Sequence, residues 1–441
     1  MKKLSHSLWI ITAVLLVGIA ISTHAKGEKS KTIVQVNSNK KSGLYKLGEK
    51  ATFTISVVDN GNLLKKGIIK VKLSADMLKE IKTQSFDLSK NNPFTISSSM
   101  THPGFIYCRA TLRKKVWGAA GAGFNPTAIK LSSSSPTDFD KFWSDGRKRL
   151  NKIPLDIKLI KLPKYCDTKQ DSYKISFANI DNTRIYGFLS VPKNSKGPFP
   201  AILSIPGAGP GAFSPYLKGW ASRGVLALVM NVHKYDPPGS RKEIKNLYNK
   251  LNKKKVYMRQ GSQDREKIYF RRSILGIDRA LNYLASRPDF DKKHLVVYGS
   301  SQGGAFTLIM AGLNPRKVTA AAANVPALCN HMAFLDKRMP GWPQYFKSIK
   351  GRKLQNSVLP YFDAANFARK ITCPIIASVG FVDTTCPPSS VYAAYNLIKA
   401  PKYMFNEPTM RHSQSKRYSK FLSKWISGQL GLTKAIPPVK Y

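Results

Sequence analysis

A serine, an acid and a histidine that follow one another in that order could together make a nucleophile. The serine is Ser301, at the centre of Gly299-Ser-Ser-Gln-Gly303. A hydroxyl is a poor nucleophile until a neutral imidazole takes its proton, and a carboxylate behind the imidazole fixes its tautomer and stabilises the imidazolium. Gly-x-Ser-x-Gly alone is a weak signal, because both residue types are common. Its setting is stronger. The apolar, largely β-branched run at 295–298 reads as a buried strand and the apolar run at 305–311 as a helix, so Ser301 falls on a strand–turn–helix junction. Small residues two places on either side let strand and helix approach closely enough to hold the hydroxyl above a sheet. The competing reading is an ordinary glycine-rich strand–helix turn.

Where such an elbow carries a triad, the order is serine, acid, histidine. Two histidines follow Ser301: His331 and His412. The acids between Ser301 and His412 are Asp336, Asp363, Asp383 and Glu407. Asp383 lies in the loop after a buried strand at 374–379, where a sheet presents a catalytic acid at its C-terminal edge. His412 follows a strand at 402–405. His331 and Asp336 share an earlier, helical insertion, and Asp363 reads as a helix cap or salt-bridge partner. Glu407 is too near His412 to be more than a substitute acid. The oxyanion of an acyl transfer needs donors already in place, and losing one costs roughly 100- to 1,000-fold in rate. One donor is the N–H of Gln302. The other is assigned to Ala208, in the glycine-rich loop 206–211 after another buried strand. For that loop the competing reading is a plain turn.

These side chains need a sheet under them. Buried strands at 200–205, 225–230, 295–298, 318–325 and 374–379 alternate with helices, including one at 274–284, which means a largely parallel sheet covered on both faces. An elbow serine on such a sheet points to an α/β class chain with the α/β-hydrolase fold, over residues 137–432. Thr137 is expected to cap its first helix, with Asp138 and Asp140 in the first turn and Phe139, Phe142 and Trp143 as a packing stripe. Residues 31–131 read differently. Alternating runs at 51–58, 68–73, 94–96 and 104–112, with a turn at Asp59-Asn-Gly61, suggest a small immunoglobulin-like β-sandwich. It carries no catalytic cluster, and His102 reads as a loop residue. The sandwich is either a packing module or a glycan-binding element that shapes the active-site rim.

Several motifs together resemble one family. They are Asp138-Phe-Asp-Lys-Phe-Trp143, the Arg271/Gly276/Asp278 stretch, Gly299-Ser-Ser-Gln-Gly-Gly304 and Cys386-Pro-Pro-Ser-Ser390. From about residue 137 to 430 the chain is similar to the acetyl xylan esterase and cephalosporin-C deacetylase family, carbohydrate esterase family seven. The resemblance implies a triad of Ser301, Asp383 and His412, in agreement with the elimination. It also implies a homo-oligomer, with no interface legible in the sequence. Two positions depart from the family pattern. Pro206-Gly207-Ala208 stands where the family has His-Gly-Tyr, and Val232-His-Lys-Tyr-Asp236 stands where it has Arg-Gly-Gln-Gly. His233 is either a pocket residue or a structural one. The second departure and the lysine-rich segment 241–255 leave the xylan preference open.

A chain of 441 residues with 42% hydrophobic content is long and apolar enough for two or three domains and a sizeable core. Residues 1–25 have a basic start, an apolar run and small residues at Thr23 and Ala25, the pattern of a signal peptide, so secretion or periplasmic export is expected. No membrane insertion is expected for the rest. The net charge of +48 comes from scattered lysines. It fits a solvated basic surface, or attraction to an acidic or sulfated polysaccharide. Nucleic acid is not expected, because no basic helix, zinc spacing or aromatic–basic repeat accompanies the charge. The five cysteines (Cys108, Cys166, Cys329, Cys373 and Cys386) match no zinc site and read as small core residues, at least one of them unpaired within the chain. The combined expectation is a secreted serine ester hydrolase that removes acetyl or other small acyl groups from a saccharide, with no cofactor implied. The alternatives are a peptidase of the prolyl-oligopeptidase kind, an acyltransferase or thioesterase, and a non-catalytic binder of acidic glycans.

Overall fold

The computed structural model describes residues 32–113, 116–345 and 357–434. The expected signal segment lies outside the described residues.

The first nine strands are β1 (Ile33–Ser38), β2 (Leu44–Tyr45), β3 (Ala51–Asp59), β4 (Asn62–Leu63), β5 (Ile68–Ala75), β6 (Lys79–Asp87), β7 (Phe94–Ser98), β8 (Gly104–Arg113) and β9 (Val116–Phe124). They form a four-stranded sheet, in which β3 pairs with β1, β4 and β7, and a five-stranded sheet in the order β2-β9-β8-β5-β6. The turn expected at Asp59-Asn-Gly61 closes β3 onto β4, with Asn60 and Gly61 both at positive φ. Alternate residues of both sheets, among them Phe53, Ile55, Val71, Leu73, Ile106 and Ala120, make one core. This is the β-sandwich that the alternation predicts.

Among the described residues, the remainder is built on nine strands. They are β10 (Lys158–Lys161), β11 (Gln170–Asn179), β12 (Thr183–Pro192), β13 (Phe199–Ile205), β14 (Leu226–Met230), β15 (Phe290–Ser300), β16 (Ala320–Asn324), β17 (Ile375–Gly380) and β18 (Lys402–Glu407). Their order is β10-β11-β12-β14-β13-β15-β16-β17-β18. The last six in that order run parallel, and the first three pair antiparallel. Leu203, Leu228, Val297 and Ala321 belong to the core on one face, and Ile202, Val229, Val296 and Ala322 to the core on the other. Period-2 side chains buried on both faces explain why these strands read as unbroken apolar runs. The α-helices among the described residues are α1 (Phe139–Asn151), α2 (Lys218–Ala221), α3 (Arg241–Asn252), α4 (Tyr269–Ser286), α5 (Gln302–Leu313), α6 (Ala364–Ala368), α7 (Pro388–Tyr395) and α8 (Lys416–Gln429).

The expected cap of α1 is corrected. Asp138 occupies the cap position, not Thr137, and makes no capping bond. Its carboxylate is used elsewhere, by Arg265 and Tyr361. Asp278 takes both arms of the Arg147 fork, at 2.7 and 2.5 Å, which ties α4 to α1. The five cysteines are all free, and all but Cys166 are buried, which matches small core residues.

The sandwich docks on the C-terminal edge of the large sheet. On β8 and β9 the even-numbered residues Ile106, Cys108, Ala120 and Ala122 face the sandwich core. Odd-numbered Phe105 faces the other way, joins the core of the large domain and meets the Phe381 ring edge-on at 4.9 Å. The Gly121 N–H donates to the Pro408 carbonyl at 2.8 Å. Phe381 and Pro408 belong to the two loops that carry Asp383 and His412. An ion pair of buried Asp76 with half-buried Arg338 at 3.3 Å, and the Met339 N–H on the Asp76 carbonyl, close the same interface.

A side chain at Gly121 would place its Cβ 2.4 Å from Phe381 Cβ and 2.8 Å from the Phe381 carbonyl oxygen, so the sheet and the loop cannot both stay in place. Gly121→Val is expected to destabilise the protein by about 1–3 kcal/mol, read as a lower urea midpoint. Gly219→Ala, in a helix where the added Cβ meets nothing within 4 Å, is the matched control and is expected to leave the midpoint unchanged or raised.

Candidate active site

Ser301 connects β15 to α5 with φ 60° and ψ −120°, backbone that a residue with a side chain rarely adopts. The surroundings fix it there. The Ser301 N–H donates to the Asn324 carbonyl of β16 at 2.9 Å, and its own carbonyl accepts from Ala305 and Ala327. A Cβ on Gly303 would lie 2.0 Å from the Ile205 carbonyl, and one on Gly299 2.6 Å from the Gly303 carbonyl carbon. The two flanking glycines of the pentapeptide are therefore required by close approach of α5 to β13 and β15.

The structure brings the three residues chosen by elimination together. His412 Nε2 lies 2.8 Å from Ser301 Oγ, and His412 Nδ1 lies 2.7 Å from Asp383 Oδ2. Asp383 is fully buried, and its Oδ1 accepts the N–H groups of Thr385 and Cys386 at 2.8 and 2.9 Å. A carboxylate that accepts from Nδ1–H leaves the Nε2 lone pair facing the serine, the arrangement a base needs. Glu407 does not substitute for the acid. Its carboxylate accepts the Ser415 N–H at 3.2 Å and so closes the loop that carries His412.

Gln302 is the first residue of α5, so its backbone N–H has no partner within the helix. Its side chain is buried, with Oε1 accepting from the Tyr257 hydroxyl at 2.5 Å. The loop 206–211 lies beside Ser301: a Cβ on Gly207 would sit 3.4 Å from the Ser300 carbonyl and 3.8 Å from Ser301 Cβ. Ala208 is exposed on that loop.

The stretch after β14 holds the loop. Asn231 exchanges two hydrogen bonds with the Ala212 backbone, at 2.7 and 2.9 Å. The Tyr235 hydroxyl donates to the Pro210 carbonyl at 2.5 Å. His233 Nε2 lies 2.7 Å from the Gly209 carbonyl and Nδ1 2.9 Å from the Tyr269 hydroxyl. A carbonyl only accepts, so Nε2 carries the proton and Nδ1 accepts from Tyr269. Of the two roles open to His233, the structure shows the structural one. Tyr235, Tyr248, Tyr257 and Tyr269 surround its ring. Tyr257 and Tyr269 support the site from far along the chain. Their only sequence signal was the tyrosine content of an otherwise basic segment.

The remaining candidates lie outside the site. His331 is buried, with neither ring nitrogen hydrogen-bonded among the described residues. Asp336 accepts from Ser132 Oγ at 2.6 Å. Asp363 caps α6 through the Ala365 N–H, as expected, and also accepts the N–H groups of Asn330 and His331. His102 is exposed in a loop. Among the described residues, ligand atoms of Asp383, Cys386 and His412 fall within 4.8 Å of one another, a spacing that could hold a metal. Asp383 and His412 already bond each other, and burial pushes the Cys386 thiol well above its ordinary range, so this is a poor metal site.

Burial pulls the His233 imidazole down from 6.5 to about 4, against the hydrogen bond to Gly209, so the folded chain keeps it neutral. Between those values the unfolded chain holds a proton that the folded chain refuses. The stability this contributes is therefore full above pH 6.5 and is lost, by about 3 kcal/mol, as pH falls toward 4. The fall in Tm between pH 6.5 and 4 is expected to be smaller in His233→Gln than in the parent. Equal falls would contradict this account of His233.

Comparison with known proteins agrees with the geometry. The family model described as acetyl xylan esterase (AXE1) matches residues 128–429, beginning just after β9. The acetyl esterase Axe7A of Xylanibacter ruminicola is 32% identical over 393 residues, 88% of each chain, so the likeness extends into the sandwich. The acetyl xylan esterase from Paenibacillus sp. R4 superposes with a TM-score of 0.58 at 25% identity, over 69% of this chain and 98% of its own. Acetyl xylan esterase 1 from Thermoanaerobacterium sp. JW/SL YS485, at 20% identity and a TM-score of 0.57 over 69% of this chain and 97% of its own, shows the same fold. With the family model covering most of its length and a relative 32% identical over 88% of it, the chain belongs to the acetyl xylan esterase family and is a carboxylic ester hydrolase of α/β-hydrolase fold.

Proposed function

We propose that the protein is exported and removes acetyl groups from saccharides through an acetyl-enzyme on Ser301. The observation that carries this reading is the unbroken relay Asp383–His412–Ser301, with links of 2.7 and 2.8 Å. Ser301 Oγ attacks the ester carbonyl carbon while His412 Nε2 takes the hydroxyl proton. Negative charge then collects on the former carbonyl oxygen, and the N–H groups of Gln302 and Ala208 are assigned to receive it. Collapse of the tetrahedral species breaks the bond to the sugar oxygen, which leaves with the proton that His412 returns. Water, deprotonated by His412, attacks the acetyl-enzyme in the same way and releases acetate, regenerating the serine. The residues supply nucleophile, base and electrostatic stabilisation, and no step uses a cofactor.

The family's named activity supports acetylated xylan-type saccharides as the substrate class. We read residues 31–131 as an immunoglobulin-like domain and 137–432 as the catalytic domain, a division supported by their separate cores. Residues 1–25 are read as the export signal. No helix among the described residues is long and apolar enough to cross a membrane.

Ser301→Ala is expected to abolish acetate release from both 4-nitrophenyl acetate and acetylated xylan oligosaccharides. Asp383→Asn is expected to lower kcat about 10⁴-fold, because the amide stabilises the wrong imidazole tautomer. Activity retained by Ser301→Ala would overturn the mechanism. Export is checked separately by mass spectrometry of the secreted chain, which should begin at Lys26.

A further inference from the structure

The outward face of β8 and β9 does not end at the docking surface. Beyond the buried pairs Phe105–Gly123 and Tyr107–Gly121, the same face continues through Arg109–Ala119 to Thr111–Trp117. There Trp117 meets the loop that carries His412. The guanidinium carbon of Arg411, the residue before His412, lies 3.6 Å from the centre of the Trp117 ring, and that of Arg109 lies 4.2 Å from it. Neither guanidinium makes a hydrogen bond or an ion pair with a described residue, although the chain pairs many of its other arginines. Tyr107, two residues before Arg109, lies on the same face of β8, where burial raises its phenol and both arginine charges oppose that shift. Arg411 is exposed, and Arg109 and Trp117 are half-buried.

Two like charges held against one indole repel each other and keep their donor edges unused. The ring itself is already occupied by cations, so it is not a free platform for stacking a neutral sugar. What the arrangement lacks is an anion. A planar guanidinium offers paired N–H donors that match the two oxygens of a carboxylate or sulfate. We infer that Arg109, Arg411 and Trp117 form a subsite for an anionic group, the carboxylate of a uronic acid or a sulfate ester, on the saccharide whose acetyl group is being removed. The sandwich thereby supplies a specificity residue, Arg109, to a reaction carried out in the other domain. The inference rests on the esterase reading of Ser301.

The test compares kcat/KM on an acetylated xylan carrying uronic acid side groups with the same polymer after carboxyl reduction. The parent is expected to favour the acidic polymer by about tenfold or more, the worth of one charge-assisted hydrogen bond. Arg109→Gln and Arg411→Gln should each bring the ratio toward one, and Arg109→Lys should keep part of it. A ratio is unaffected by general loss of folded enzyme. An acetylated sulfated polysaccharide compared with its desulfated form shows whether sulfate shares the subsite. No preference in the parent for either anion overturns the inference. So does a preference that survives both Gln substitutions, since the scattered lysines would then be its source. Calorimetric binding of a uronic acid-bearing oligosaccharide to Ser301→Ala, with and without Arg109→Gln, makes the same comparison without turnover. A failure of the subsite is thus distinguishable from a failure of the esterase reading, which 4-nitrophenyl acetate reports.

Discussion

The backbone at Ser301 is the constraint on which the rest of the site depends. At φ 60° and ψ −120° the residue is strained, and it persists only because its neighbours over-determine it. β13, β15 and the start of α5 meet at Gly299 and Gly303 with no room for a methyl group, while β16 receives the Ser301 N–H. That crowding turns the hydroxyl away from the sheet and leaves the first N–H groups of α5 beside it. Any loosening of the three-way contact would move Ser301 and the first N–H groups of α5 together.

The other parts are held from two sides. From below, Asn231, His233 and Tyr235 grip the segment 206–212 by the carbonyls of Ala212, Gly209 and Pro210, and a cluster of tyrosines keeps His233 dry and neutral. From outside, the sandwich presses β9 against Phe381 and Pro408, and so against the loops that carry Asp383 and His412. The two cores are separate, yet the smaller one acts as a wall for the larger one's site. This gives the sandwich a physical role even without a substrate contact of its own.

The local and ordered features were legible in the sequence. The elbow announces itself because its glycines are needed at fixed offsets. Asp383 and His412 could be found because chain order and strand ends leave few candidates. The sandwich was legible from period-2 alternation at β3, β5, β7 and β8, but β1, β9 and the short β2 and β4 were not read, nor was β6, almost wholly exposed and without an apolar face. Features that depend on distant segments were not readable. Thr137 looked like a cap, but Asp138 holds that position and spends its carboxylate on Arg265 and Tyr361. His233 could not be assigned until Tyr269 and Gly209 were seen on its two nitrogens. Trp117 and Arg411 lie far apart in the chain, and only the packing of the sandwich against the large sheet and its loops makes them neighbours.

The central claim is that Asp383 and His412 activate Ser301, and covalent labelling tests it most directly. The protein is incubated with a serine-reactive fluorophosphonate and the adduct is located by peptide mass spectrometry. One adduct per chain is predicted, on the peptide containing Ser301, with a labelling rate that falls at least about a hundredfold in Asp383→Asn or His412→Ala. An adduct on another residue, or labelling of Ser301 at an undiminished rate in both variants, would contradict the account.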